Sequence, residues 1–67
     1  MLYAEWEGKT VRIYDEKRQL IRTLRARFEV AGVQCSGTNL DDGRVAISMV
    51  NGKTDLYHAY GATIRLG

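Results

Sequence analysis

At 67 residues the chain has room for one small domain, 1–67, burying only about 60% of its unfolded surface and so keeping a thin margin of stability. One cysteine, Cys35, and one histidine, His58, exclude an internal disulfide and argue against a structural zinc site. A net charge of +2 is too small to announce a polyanion-binding protein, and no apolar run approaches the roughly 20 residues of a membrane helix.

The opening stretch carries no basic region followed by an apolar one, so no signal peptide is expected. The expectation is a soluble chain in a reducing, cytoplasmic setting, with no cofactor. Chains this short commonly lean on a partner subunit. Apolar residues make up 45% of the whole, ordinary for a globular domain.

Taken in order, most of the chain alternates with a period of two. Leu2, Ala4 and Trp6 share one face, with Tyr3 and Glu5 on the other. Gly8 turns the chain. Val11 and Ile13 then alternate with Arg12 and Tyr14. Such alternation marks strands with one buried face.

The next segment, 16–31, satisfies two periods. Leu20, Leu24 and Phe28 fit one helical stripe, with Asp15 as cap and Gly32 as stop. They also share the parity of a strand, with Arg25, Arg27 and Glu29 opposite. Arg22 fits the strand poorly, since it falls on the apolar face.

Further on, "VAGVQCSG" leads into a polar loop and the turn "DDG" at Asp41–Gly43. Val45, Ile47 and Met49 alternate with Ala46, Ser48 and Val50. Asn51–Gly52 is the strongest hairpin signal, because both residues tolerate the positive φ of a two-residue type I′ turn. Near the end, Gly61 precedes the alternation of Ala62, Ile64 and Leu66. Proline is absent, so nothing interrupts a strand ladder.

One phrase occurs twice. "GKTVRIYDEKRQLIR" from Gly8 returns as "GKTDLYHAYGATIR" from Gly52, and Tyr14 to Ile21 spans the same separation as Tyr57 to Ile64. A phosphate loop is not expected: it needs a glycine five positions before the Gly-Lys pair, where Tyr3 and Ile47 stand, and a helix after it. The phrase reads as strand, turn, strand. By analogy the first copy turns at Glu16–Arg18 and resumes as a strand from Gln19, with a helix as the alternative.

The order "VRIYDEKRQLIRTL", "VAGVQCSG", "DGRVAISMVNGKTDLYHAYGATIR" resembles blades of β-propellers, including WD-repeat-like ones. The Gly-His and Trp-Asp pairs of such repeats are missing; Tyr14–Asp15 is the nearest echo, and His58 stands where an aspartate would. The resemblance implies four-stranded antiparallel meanders, completed between chains or by a small barrel closing on itself.

The expected fold is therefore all-β: about six antiparallel strands in a meander that forms a closed or half-open barrel or a sandwich. The expected core is Leu2, Trp6, Val11, Ile13, Leu20, Leu24, Phe28, Val33, Val45, Ile47, Met49, Leu56, Ile64 and Leu66. Edges without proline invite pairing, so a homo-oligomer, most simply a symmetric dimer, is expected.

No catalytic set stands out, so a non-enzymatic module acting through protein–protein contact is the leading expectation. Cys35 with His58 would be the only nucleophile and base, and nothing around Cys35 activates it. Asp41 and Asp42 read as turn chemistry rather than a cation site. The one constellation with functional content is basic and aromatic: Arg12, Tyr14, Arg22, Arg25 and Arg27, with Tyr3, Tyr57 and Tyr60. Such a face could bind a partner protein or, as the alternative, single-stranded nucleic acid.

Overall fold

The computed structural model describes residues 1–38 and 41–60. Alternation is realised as six antiparallel strands: β1 (Tyr3–Glu7), β2 (Thr10–Tyr14), β3 (Leu20–Arg25), β4 (Val30–Ser36), β5 (Arg44–Met49) and β6 (Thr54–His58). They form two three-stranded meanders, β1-β2-β3 and β4-β5-β6. Among the described residues there is no helix, so the segment from 16 resolves as turn and strand. Among the described residues no ladder joins the two sheets, which pack on a common core as an open sandwich rather than a closed barrel. The propeller-blade resemblance implied four-stranded sheets; each sheet holds three strands among the described residues.

The chain passes from one sheet to the other over the β1–β2 corner. The Ala26 amide donates to the Lys9 carbonyl at 2.7 Å and the Val30 amide to the Gly8 carbonyl at 2.8 Å. This sets β4 beside β1 along one border of the sandwich. Gly8 has φ 60 at the first position of the two-residue loop Gly8–Lys9, the place a type II′ turn reserves for glycine. The opposite border, between β3 and β6, is spanned by side chains. Arg22 Nη1 donates to the His58 carbonyl at 3.1 Å, and Arg27 grips Asp55 with two hydrogen bonds of 3.0 and 2.8 Å.

The core lies between the sheets. Val11, Ile13, Val45 and Ile47 are fully buried, with Leu2, Leu24, Met49, Val30, Ala26, Tyr57 and Ala59 around them. Each fully buried Val or Ile side chain stabilises by about 1.5–3 kcal/mol.

Four expected core residues are exposed instead. Leu20 and Leu24 have the same parity, but a bulge lies between them. Ile13 pairs with Arg22 while Tyr14 pairs with Leu20, so Ile21 is the extra residue and Leu20 turns to the outer face. Phe28 falls in the crossover after β3 ends at Arg25. Trp6 takes an inner row, at the border strand near the β1–β2 corner, and stays 42% exposed.

Leu56 is displaced by the turn before it. The expected Asn51–Gly52 type I′ loop would set Ile47 opposite Leu56. The loop that forms has three residues: Gly52 N–H donates to the Met49 carbonyl, Met49 N–H to the Lys53 carbonyl, and Gly52 alone has positive φ, 88. This is a type I turn closed by a left-handed glycine. It sets Ile47 opposite Asp55, a one-residue difference that reverses both faces of β6. Asp55 and Tyr57 therefore point inward and Leu56 outward. The expected strand at Ala62, Ile64 and Leu66, with the Gly61 turn, lies outside the described residues.

Candidate interaction surface

The first sheet arranges its outward residues in three rows fixed by register. They are Tyr3–Tyr14–Leu20, Glu5–Arg12–Thr23 and Glu7–Thr10–Arg25. The inner rows, Ala4–Ile13–Arg22 and Trp6–Val11–Leu24, belong to the core side. The outward face of the second sheet differs: Gly32, Ser48 and Thr54, then Gln34, Ala46 and Leu56, then Ser36, Arg44 and His58. It is mostly polar, with Leu56 its one large apolar side chain.

The β2–β3 corner completes the first face. Asp15 holds it with its carboxylate, which accepts from the amides of Lys17 and Gln19 at 2.8 and 2.9 Å. Backbone bonds run from Arg18 N–H to the Asp15 carbonyl and from Asp15 N–H to the Gln19 carbonyl. Arg18 sits there at φ 64, a left-handed conformation that disfavours any side chain by roughly 1–2 kcal/mol. The Asp15 bonds over-determine the turn and so help to maintain this strain. Arg18 reaches an open groove of about 460 Å³ that it lines with Tyr3, Ala4, Glu5 and Tyr14. Beside the groove, Leu20 stands out 54% exposed and Tyr3 50%.

The five residues expected to act as one basic and aromatic face are divided. Arg12, Tyr14 and Arg25 share the outer face of the first sheet. Arg22 points the other way and is 8% exposed. Burial pushes its guanidinium below its usual value, and the nearby Tyr57 hydroxyl acts to raise it. Its Nη1 has the His58 carbonyl, while its Nη2 has no hydrogen-bond partner. Arg27 is occupied by Asp55, a carboxylate with 3% of its side chain exposed. Acidic Glu5 and Glu7 sit in the same rows as Arg12 and Arg25, so the outer face carries both signs.

Cys35 and His58 are not brought together. Cys35 is on an inner row with Val45 and Tyr57, whereas His58 is on an outer row with Arg44 and Ser36. Burial pushes the Cys35 thiol up, the opposite of what an activated nucleophile needs. Asp42 accepts the Thr38 amide at 3.0 Å, as turn chemistry leads one to expect. Among the described residues no group of three or more His, Cys, Asp or Glu side chains could hold a metal ion, and no helix is long and apolar enough to cross a membrane.

Sequence reasoning missed Arg18, Leu20, Glu5 and Glu7 as parts of one surface. The turn at Glu16–Arg18 was read from the repeat and is present, but nothing in it marked Arg18 as part of a surface. No signal marked the Ile21 bulge that turns Leu20 outward. Compared with protein-family models, with curated proteins and with solved structures, the chain finds no match.

Proposed function

We propose that this chain is a non-enzymatic binding module that works through protein–protein contact, self-association included, in a reducing cytoplasmic setting. One observation carries the reading: the row Tyr3–Tyr14–Leu20 crosses all three strands of one sheet on its outward face. It lies beside an open groove and within two rows of charges of both signs. Two half-exposed side chains, Tyr3 and Leu20, with the partly buried Tyr14 between them and polar groups around, are the make-up of a contact surface. The half-buried lone thiol of Cys35 suits a compartment where disulfides do not form. Size-exclusion chromatography with light scattering tests self-association. A clean monomer up to about 1 mM counts decisively against it.

A second reading places single-stranded nucleic acid on the same face. Arg12 and Arg25 beside Tyr3 and Tyr14 favour it, since stacking rings and a basic track are its ingredients. Glu5 and Glu7 on the border strand oppose a phosphate chain there. Fluorescence anisotropy with oligonucleotides at low and high salt separates the readings. Affinity that falls steeply with salt supports nucleic acid; no binding at low salt removes it.

A further inference from the structure

The geometry points to a second copy of this chain, packed face to face on the first sheet about a two-fold axis parallel to the strands, as the occupant of the outer face. This rests on the reading of the chain as a self-associating module and names its surface and symmetry.

The register leads to it directly. A two-fold axis along the strands keeps each row at its level and exchanges the border strands, so β1 lies over the partner's β3. Tyr3 then meets Leu20 of the partner subunit, Tyr14 meets the partner's Tyr14, and Glu7 meets the partner's Arg25. The groove bordered by Tyr3, Tyr14 and Arg18 receives Leu20 of the partner subunit, the most exposed apolar side chain on this face. Knob and groove therefore lie on one surface, two strands apart, where such a two-fold brings them together twice. An axis across the strands would instead set the Tyr3 row against the Glu7 row, apolar on charged.

Charge favours a like partner over a polyanion. The acidic column, Glu5 and Glu7, is on one border strand; Arg25 is on the other, and Arg12 is between. A surface with opposite signs on its two borders is complementary to its own rotated copy, as an isologous interface requires. The axis also sets Arg12 against the partner's Arg12, with Glu5 in the same row as countercharge, which limits the affinity.

So does size. Three strands at about 4.8 Å spacing and five residues at about 3.4 Å give a footprint on the order of 250 Å². Stable complexes bury roughly 800 Å² per partner. The expected dimer is weak and depends on concentration.

Sedimentation equilibrium from low micromolar to about 1 mM reads it out, on the wild type, Glu7→Arg, Arg25→Glu and an equimolar mixture of the two variants. Each reversal alone sets like charges across both symmetric contacts and weakens the dimer by about tenfold or more. The mixture restores it, because each partner then supplies the charge the other needs. A pairing of Glu7 with Arg25 within one chain cannot produce that rescue. Leu20→Asp, at an exposed position that tolerates polarity in the monomer, abolishes the dimer. Circular dichroism verifies that each variant is folded. A wild type that dimerises, with a mixture that gives no heterodimer or a Leu20→Asp variant that dimerises as well as wild type, overturns this face and axis while leaving self-association standing. A wild type that stays monomeric to about 1 mM removes both.

Discussion

The two sheets share a plan and differ in how well their residues suit it. Each is a three-stranded meander, and each sends one charged residue inward from the strand bordering the open side of the sandwich: Arg22 from β3 and Asp55 from β6. Asp55 receives both arms of a guanidinium, whereas Arg22 reaches one carbonyl and leaves Nη2 without a partner. Each sheet also has the same corner, a type I turn closed by a left-handed residue. In the second sheet that residue is Gly52, at φ 88; in the first it is Arg18, at φ 64. The second sheet thus satisfies local preference where the first departs from it twice. The first is also the sheet with the aromatic outer row. Places where local preference and fold disagree concentrate at functional surfaces, and here both departures fall on the sheet with the better claim to be one.

Inward charges on border strands also discourage edge-to-edge pairing. The absence of proline suggested open edges, but β3 carries a bulge and an inward arginine and β6 an inward aspartate. Association through a sheet face is consistent with guarded edges at β3 and β6.

The largest expected effect breaks the better-satisfied of the two charges. Arg27→Ala removes two hydrogen bonds from a buried carboxylate. Breaking a fully buried pair destabilises by about 3–5 kcal/mol. Arg27 is 45% exposed, so the expected loss is about 2–3 kcal/mol, measured by urea unfolding. The same change tests the register of β6, because Arg27 helps to hold Asp55 inside. Without it, the Asn51–Gly52 pair can adopt the two-residue turn that would bring Leu56 in and turn Asp55 out. The matching change in the other sheet, Arg22→Met, removes a buried group already short of one partner and shifts stability by no more than about 1 kcal/mol. Equal losses in the two variants would erase the distinction between the sheets.

A smaller effect comes from making the two corners alike. Arg18→Gly relieves left-handed strain of roughly 1–2 kcal/mol and returns part of it as unfolded-state entropy. A net gain of about 0.5–1 kcal/mol is expected, read as a higher urea midpoint at unchanged slope. A loss would mean that the Arg18 side chain holds the corner through its contacts at the groove.

Much of this was legible in the chain itself. Period two placed Val11, Ile13, Val45, Ile47 and Met49 inside, and the doubled Gly-Lys-Thr phrase correctly marked two hairpin corners. What escaped were single-residue shifts. One extra residue at Ile21 sends Leu20 out and leaves Arg22 in. One extra residue in the loop before β6 exchanges Asp55 with Leu56. Alternation cannot reveal such shifts, because each strand remains alternating after its faces are reversed. Parity with Leu24 already set Arg22 on the apolar face, but the outward turn of Leu20 and the inward turn of Asp55, which engages Arg27, follow from these shifts, so the whole surface could not be assembled from spacing alone.

The smallest expected effect concerns Cys35, which has no counterpart in the first sheet. Its thiol shares the inner row of Val45 and Tyr57, and burial pushes it up from the ordinary value. The folded chain therefore retains that proton to higher pH than the unfolded chain does. The stabilisation it contributes is complete below the unfolded thiol's pKa and is lost as pH rises through the raised folded value. Wild type should lose urea midpoint through mildly alkaline pH faster than Cys35→Val. Iodoacetamide should react more slowly with the native chain than with the chain in urea, since the thiolate is the attacking species. Equal rates would mean that the inner face of the second sheet opens readily, and the contrast between a well-satisfied sheet and a strained one would then have to be drawn the other way.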